Sequence, residues 1–331
     1  MRLFTNPSYM TTPAYDLIII GGGPSGINVG ISAQKAGLNY CIIEKGMIVN
    51  SLFNFPVNMT FFSTSLKLEI HNIPFISHGD KPTRAEALEY YRRLVQVNDL
   101  KLHLYEEVER MEPRPALGYE ITTNKGTYLA KAVCVATGFY DTPRYLEVPG
   151  EALPKVTHYY NDPHAYIGQK VLVVGAANSA CDAALECWRK GAEVTMAIRG
   201  EGIYERVKYW IKPDIENRIK EGSIKAYFNT TVSAIHADTV DIQTPQGPIT
   251  VDNDYVLAMT GYEPNYDLFE RLGLPVGNDD ICQPIFNPET LETELPGVYM
   301  AGVACAGRQT SKLFIENTRD HGDIIINHLV D

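Results

Sequence analysis

The chain has 331 residues, of which 45% are hydrophobic and 21% charged, which is enough for two domains with separate cores. Its net charge of −11 argues against nucleic acid or an anionic membrane as the main partner. The apolar runs are only as long as strands, which excludes a membrane span, and residues 1–13 lack the apolar core of a signal peptide. Six scattered cysteines form no CxxC pair, so we expect a reducing cytoplasm and no metal site.

Strand and helix patterns alternate along the chain. An apolar strand at 15–20 leads through a glycine-rich turn into a helix at 28–35, and a second strand follows at 40–44, which completes a βαβ unit. A helix at 83–98 and a strand ending at 138 precede a proline-punctuated connection at 142–163. The later predicted elements are strands at 171–174, 193–198, 255–262 and 297–302 and helices at 179–190 and 311–328.

This order predicts an α/β fold with two Rossmann-like three-layer domains, the second inserted into the first. We expect the first domain to comprise residues 1–154 and 286–331, because the last strand and helix return to complete it. The second domain is expected at 155–285. The apolar strands that end at Thr137-Gly138 and Thr260-Gly261 form a weak internal repeat.

The first glycine-rich turn has the features of a dinucleotide-binding loop. It reads Gly21-Gly22-Gly23-Pro24-Ser25-Gly26, directly after a strand and before a helix. Backbone N–H groups at such a helix N-terminus can hold a pyrophosphate. Glu44 ends the next strand, 23 residues after Gly21, where a carboxylate accepts hydrogen bonds from a free ribose 2′-hydroxyl. The alternative is a strand–turn–helix without a ligand.

A second loop of this type predicts a different nucleotide. It reads Gly175-Ala176-Ala177-Asn178-Ser179-Ala180, and Arg199 lies where Glu44 lies in the first repeat. An arginine at this place suits a 2′-phosphate, which indicates NADPH. Arg206 and Lys208 lie nearby, although a solvated face of mixed charge would also explain them. The opposite charges of Glu44 and Arg199 therefore predict FAD in the first domain and NADPH in the second.

With these motifs in place, the chain resembles the low-molecular-weight thioredoxin reductase-like flavoproteins, and within them the YpdA-type bacillithiol disulfide reductases. The runs that carry the resemblance are 42–46, 48–51, 60–65, 67–70, 301–303, 314–317 and His321-Gly322. The resemblance implies FAD, NADPH, reduction of a low-molecular-weight thiol disulfide, and a homo-oligomer that is a dimer or larger.

The predicted site residues fall into two sets. For FAD they are Gly21, Gly23, Pro24, Ser25, Gly26, Glu44, Lys45, Asn50, Val108, Ala136, Gly138, Gly302, Val303, Phe314 and Ile315. For NADPH they are Gly175, Ala177, Asn178, Ser179, Ala180, Arg199, Arg206 and Gly261.

The sequence departs from this family at the residues expected to exchange thiols. Thioredoxin reductases carry a CxxC dithiol before the second loop, where this chain has no cysteine at 158–163. The YpdA-type family has a cysteine at the position of Ser25, and a hydroxyl cannot form a mixed disulfide. Cys305 is the best substitute candidate for a redox role, although a buried packing residue is the usual alternative.

These departures leave the electron acceptor open. A reductase for ferredoxin or flavodoxin is one alternative, which the missing cysteine favours, although no basic docking face is evident in the sequence. A flavin monooxygenase is a weaker alternative, since the residues around His158 match its motif poorly. A flavin-binding sensor without turnover is the remaining one.

Overall fold

The structure is a computed structural model that describes residues 14–331, so the predicted extension at 1–13 lies outside the described residues. The chain divides into two compact units. The first unit contains the described part of Met1–Phe53 together with Thr60–Thr142 and Glu263–Asp331. The second contains Asn54–Met59 and Pro143–Tyr262. The predicted fold class, with one α/β domain inserted into another, is confirmed.

The secondary structure follows the predicted alternation. The strands are β1 Ala14–Ile20, β2 Tyr40–Glu44, β3 Leu102–Leu104, β4 Val108–Arg114, β5 Gly118–Thr123, β6 Thr127–Val135, β7 Thr142–Pro143, β8 Val156–Thr157, β9 Lys170–Val174, β10 Glu193–Ala197, β11 Lys225–Tyr227, β12 Thr231–Ile235, β13 Thr239–Thr244, β14 Gly247–Asp252, β15 Tyr255–Ala258, β16 Tyr262–Glu263 and β17 Val298–Met300. The α-helices are α1 Pro24–Lys35, α2 Asn50–Phe53, α3 Ser65–Leu68, α4 Arg84–Val97, α5 Asn178–Arg189, α6 Lys212–Lys220, α7 Tyr266–Arg271 and α8 His321–Val330. Short 3-10 helices lie at Pro163–Tyr166, Gly302–Ala306 and Ile315–Asn317.

The first unit is built on a sheet in the order β3-β2-β1-β6-β5-β4. The β1–β2, β1–β6 and β2–β3 pairs are parallel, whereas β4, β5 and β6 form an antiparallel meander. The far half of β6 pairs with β17 in parallel, so the end of the chain returns to this sheet. Every residue of β2 is buried, as expected for a parallel strand covered on both faces.

The second unit repeats the same device on a smaller scale. Its main sheet has the order β11-β10-β9-β15-β8, and the pairs are parallel. Helix α5 connects β9 to β10, as α1 connects β1 to β2. A separate antiparallel sheet of β12, β13 and β14 completes the unit. Because parallel strands all end at one edge of a sheet, both glycine loops lie at the carboxyl edge of their sheets.

The compact units differ from the predicted domain boundaries. Apart from the short segment Asn54–Met59, the chain passes between units at 142/143 and 262/263, whereas the sequence suggested 154/155 and 285/286. Residues 263–285 belong to the first unit because α7 contributes to its core. Leu268, Phe269 and Leu272 pack in the same cluster as Ile18, Val133 and other strand residues of that unit.

The closing helix is shorter than the sequence suggested. It begins at His321 and not near Ser311. The residues before it form turns and a 3-10 helix, because side chains there satisfy the backbone locally. Asn317 Oδ1 accepts from the Phe314 N–H at 2.7 Å, and Thr318 Oγ1 donates to the Phe314 carbonyl at 3.0 Å. Within residues 14–331, every helix is too short or too polar to span a bilayer.

Candidate functional site

Two positions of the first loop admit only glycine, Gly21 because of its backbone conformation and Gly26 because of its close packing. Gly21 has a φ of +111°, and a Cβ there would lie 2.6 Å from the Ala136 carbonyl oxygen. A Cβ on Gly26 would lie 1.8 Å from the Gly21 carbonyl oxygen, so this glycine allows α1 to pack closely on the strand end. Pro24 opens α1, where its missing N–H costs no helical hydrogen bond. The loop therefore turns directly from strand to helix.

Gly23 differs from these two glycines because its absent side chain leaves open space. It is the N-cap of α1, in an extended conformation with φ −76° and ψ −178°. No heavy atom lies within 4 Å of a Cβ built on it. Protein packing does not explain a glycine here, whereas the close approach of a ligand to the helix N-terminus does.

Glu44 closes the other side of the first loop. Its carboxylate is buried and accepts the Gly22 N–H at 2.7 Å and the Gly46 N–H at 2.8 Å. Burial raises the pKa of this carboxyl group, although the two N–H donors oppose the shift. Each oxygen keeps a further lone pair for a ligand hydroxyl. Beside it, Lys45 forms an ion pair with Asp141 at 2.9 Å.

A cleft of about 540 Å³, open to solvent, lies at this edge of the sheet. Among its lining residues are five that the sequence predicted, namely Gly21, Glu44, Lys45, Val108 and Gly138. Thr137 and Glu106 are among the lining residues that the sequence did not predict. The Thr137 hydroxyl is buried without a hydrogen-bond partner in the described chain, and the buried Glu106 carboxylate accepts from Thr123 and Tyr128, both at 2.7 Å. The orphaned Thr137 oxygen is a polar group that a ligand in the cleft would satisfy.

A second group of predicted residues meets at the start of the 3-10 helix Gly302–Ala306. Gly302 has a φ of +76°, and a Cβ there would lie 2.2 Å from Ser25 Oγ. A Cβ on Gly138 would lie 3.8 Å from Val303. The structure thus brings Ser25 and Gly302 into contact and Gly138 close to Val303.

The remaining predicted residues of the first unit are Asn50, Ala136, Phe314 and Ile315. Asn50 begins α2, and its Oδ1 atom would lie 2.4 Å from a Cβ built on Gly46. Ala136 is buried at the end of β6 and donates its N–H to the Ile20 carbonyl at 2.8 Å. Phe314 is 43% exposed, and Ile315 begins the 3-10 helix after it. No contact that the structure records ties these last two residues to the cleft.

Cys305 does not have the environment of a redox cysteine. Its side chain is buried in the core of the first unit, and burial raises the pKa of its thiol to about 12. Thiol exchange requires an accessible thiolate. This environment favours the packing role of Cys305 over the suggested redox role. Of the six cysteines, Cys282 alone is partly exposed.

The second loop has the same backbone as the first. Gly175 has a φ of +132°, and a Cβ there would lie 2.5 Å from the Met259 carbonyl oxygen, just as Gly21 abuts Ala136. Ala177 is the N-cap of α5 with φ −91° and ψ −176°, a conformation open to any residue. In the first turn of α5, Ala180 is fully buried and Ser179 is exposed. Gly261 follows β15 with a φ of +92°.

Basic side chains stand beside this second loop. Arg199 and Arg206 are exposed, and neither forms an ion pair within residues 14–331. Their segment is tied to the loop through Tyr204, whose N–H donates to the Ala176 carbonyl at 3.0 Å, and through Lys208, whose N–H donates to Asn178 Oδ1 at 3.0 Å. These two guanidinium groups, which have no ion-pair partner among the described residues, are available for an anion at this loop.

Comparison with known proteins agrees with this geometry. The model of the family described as pyridine nucleotide-disulphide oxidoreductase matches residues 18–302. The chain belongs to this family. Membership makes the protein an oxidoreductase and implies the use of a flavin and a nicotinamide nucleotide.

Several relatives within the family are similar over nearly the full chain. Bacilliredoxin reductase Bdr from Bacillus subtilis is 41% identical over 306 residues, which cover 92% of this chain and 94% of the relative. The solved structure of bacillithiol disulfide reductase Bdr (YpdA) from Bacillus cereus has a TM-score of 0.93 at 39% identity, with 96% and 99% of the two chains covered. The one from Staphylococcus aureus has a TM-score of 0.92 at 40% identity, with 96% and 98% covered. The resemblance to the YpdA-type group is thereby confirmed.

Proposed function

We propose that this protein is an FAD-dependent NADPH oxidoreductase that reduces a low-molecular-weight thiol disulfide. The observation that carries the proposal is a pair of glycine loops that have the same backbone conformation and are followed by side chains of opposite charge. Gly21 and Gly175 make the same turn at positive φ, yet a buried carboxylate follows the first and an exposed guanidinium follows the second. Two loops of this kind suit two different nucleotides.

The first unit fits the adenosine and pyrophosphate parts of FAD. The open space at Gly23 admits a pyrophosphate to the N-terminus of α1. Glu44 keeps acceptor capacity for a ribose hydroxyl, and the Thr137 hydroxyl lacks a partner in the described chain. The cleft next to them is lined by the polar side chains of Glu44, Thr137 and Glu106, the kind of polar groups that orient a small ligand.

The second unit fits NADPH. Arg199 and Arg206 supply positive charge beside the N-terminus of α5, where bidentate guanidinium groups favour a 2′-phosphate over a 2′-hydroxyl. Residues 199–225 carry seven basic and five acidic side chains in a chain with a net charge of −11, so an anionic ligand is favoured there over the rest of the molecule.

FAD and NADPH together supply hydride transfer and two-electron delivery to an acceptor. With a disulfide as acceptor, NADPH and one proton yield NADP⁺ and two thiols. The protein's own part is to orient both nucleotides, since hydride transfer depends on geometry more than on an acid or base. Ser25 cannot form a mixed disulfide, and Cys305 is buried. The reduction we propose therefore proceeds without a protein mixed disulfide at position 25.

The names of the relatives point to two acceptors, the protein bacilliredoxin and the small molecule bacillithiol disulfide. We assign the small disulfide to this chain. The proposal also includes a reducing cytoplasmic location, since all six cysteines are free, and a homo-oligomer, which the family resemblance implies.

The experiment separates the half-reactions. Purified protein is reduced with NADPH without oxygen, and bacillithiol disulfide, a ferredoxin, a flavodoxin or oxygen is then added alone. We expect the small disulfide to reoxidise the flavin fastest. Reoxidation only by an iron–sulfur or flavin carrier would assign the protein to carrier reductases, and rapid reaction only with oxygen would indicate a monooxygenase.

Matched variants at position 25 test the thiol-free route. Ser25→Ala is expected to keep the wild-type reoxidation rate per bound flavin, whatever its effect on FAD affinity, because the hydroxyl has no role in thiol exchange. Ser25→Cys is expected to form a mixed disulfide with bacillithiol that mass spectrometry detects. A covalent adduct at another residue of the wild-type protein would contradict the thiol-free route.

A further inference from the structure

The contact between Gly302 and Ser25 depends on a buried histidine. The Gly302 N–H donates to Nδ1 of His321 at 3.1 Å, and the His321 side chain is buried. Since Nδ1 accepts this bond, the ring must be neutral with its proton on Nε2. The conformation of Gly302, with its φ of +76° and its Cα against Ser25, thus rests on the charge state of His321.

His321 is itself held by Asn28 of α1. The Asn28 side chain is 1% exposed; its Nδ2 donates to the Arg319 carbonyl at 2.8 Å and its Oδ1 accepts the Gly322 N–H at 2.9 Å. One amide therefore clasps the backbone on both sides of the histidine. A Cβ on Gly322 would lie 2.3 Å from Asn28 Oδ1, so glycine is required for this close approach.

Burial keeps His321 neutral near pH 7. Burial lowers the pKa of its imidazole, and the nearby Asp320 carboxylate opposes the shift only in part. On the adjoining 3-10 helix, the thiol of Cys305 is buried and its pKa is raised to about 12. Of the other titratable groups of this region, Asp323 accepts from Ser32 and Arg319 donates to the Leu66 and Glu69 carbonyls. His71 lies closer, with its Nε2 at 3.1 Å from the Asn28 carbonyl oxygen and its Nδ1 at 3.1 Å from Lys35.

We propose that His321, clasped by Asn28, is a positioning residue that fixes the Gly302 corner beside Ser25 and so maintains the FAD site in its binding form. The inference rests on the proposed function, because it takes FAD as the ligand of the first unit. A protonated ring loses its acceptor for the Gly302 N–H and places a buried charge next to this corner. Flavin affinity then falls as the pH drops below the ordinary histidine value of about 6.5.

The experiment measures the FAD dissociation constant by flavin fluorescence between about pH 8 and pH 5, with histidine as the group expected to titrate. In the wild type we expect about tenfold weaker binding at the acid end, the scale of one lost hydrogen bond. His321→Asn keeps an acceptor near the Nδ1 place without titrating and should bind with little pH dependence. His321→Leu removes the acceptor and should bind about tenfold more weakly at every pH.

His328→Asn is the matched control, since it removes an imidazole on the same helix that contacts Tyr299 and not Gly302. It should keep the wild-type pH profile. An identical pH profile for wild type and His321→Asn would overturn the inference even if His321→Leu failed to fold. Protein that binds no FAD at any pH would overturn the proposed function instead, and the inference with it.

Discussion

At the scale of single residues, the proposed function assigns to Arg199 the distinction between the two nucleotides. Its side chain is exposed and forms no ion pair within residues 14–331, so reversing its charge should leave the fold intact. We expect Arg199→Glu to raise the Michaelis constant for NADPH at least about tenfold, because a charge-assisted contact to the 2′-phosphate becomes repulsive. The constant for NADH, which lacks that phosphate, should change little.

A matched charge reversal distinguishes this effect from a change in net charge. Lys220 is exposed in the last turn of α6, and Lys220→Glu alters the total charge equally. It should leave both Michaelis constants within about twofold of wild type, as expected for a screened surface charge. An unchanged NADPH constant in Arg199→Glu would remove the assignment of NADPH to the second loop.

At the scale of elements, the first strand–loop–helix unit contains one glycine that serves the fold and one that suits a ligand. Gly21→Ala forces a side chain into positive φ and against the Ala136 carbonyl, so we expect a loss of at least about 1–3 kcal/mol in the free energy of unfolding. Gly23→Ala meets open space and should change stability by less than about 1 kcal/mol. Its methyl group should nevertheless weaken FAD binding at least about tenfold, since it occupies the approach to the helix N-terminus.

Thermal unfolding and FAD titration of the two variants check this prediction. Ala177→Gly is the reciprocal control, because Ala177 has the place of Gly23 in the second loop and a matching backbone. It should retain NADPH binding. Full FAD affinity in Gly23→Ala would show that no pyrophosphate approaches this position.

Local patterns in the sequence predicted most of these elements well. Apolar runs such as 17–20, followed by glycine, define β1 and α1, and a capping box from Thr83 to Glu86 starts α4 within one residue of the prediction. The closing helix was predicted to start about ten residues too early. Its hydrophobic pattern extends back to Leu313 and Ile315, but side-chain hydrogen bonds of Asn317 and Thr318 to the Phe314 backbone replace the helical ones there.

The sites were predictable only where a motif fixes the chemistry. Glu44 and Arg199 follow from their spacing after each loop. Thr137 was missed although the Thr-Gly strand end was noticed, because an orphaned hydroxyl is defined by what surrounds it in the fold. The burial of Cys305 likewise depends on packing by residues distant in sequence, which a single cysteine in a loop does not reveal.

At the scale of the whole molecule, the chain builds one device twice. Each unit has a parallel sheet whose carboxyl edge carries a glycine loop, and strands β6 and β15 both end beside the first glycine of that loop. A family member with two such units is expected to hold two different nucleotides, each recognised by a different side chain. The opposite charges of Glu44 and Arg199 make this expectation specific to FAD and NADPH.

The most direct measurement of that claim is an anaerobic titration of the purified protein with NADPH, followed by flavin absorbance. We predict a yellow protein with one FAD per chain, bleached by one equivalent of NADPH and far more slowly by NADH. A colourless protein that takes up no FAD when it is supplied, or a bound flavin that NADPH does not reduce, would contradict the account.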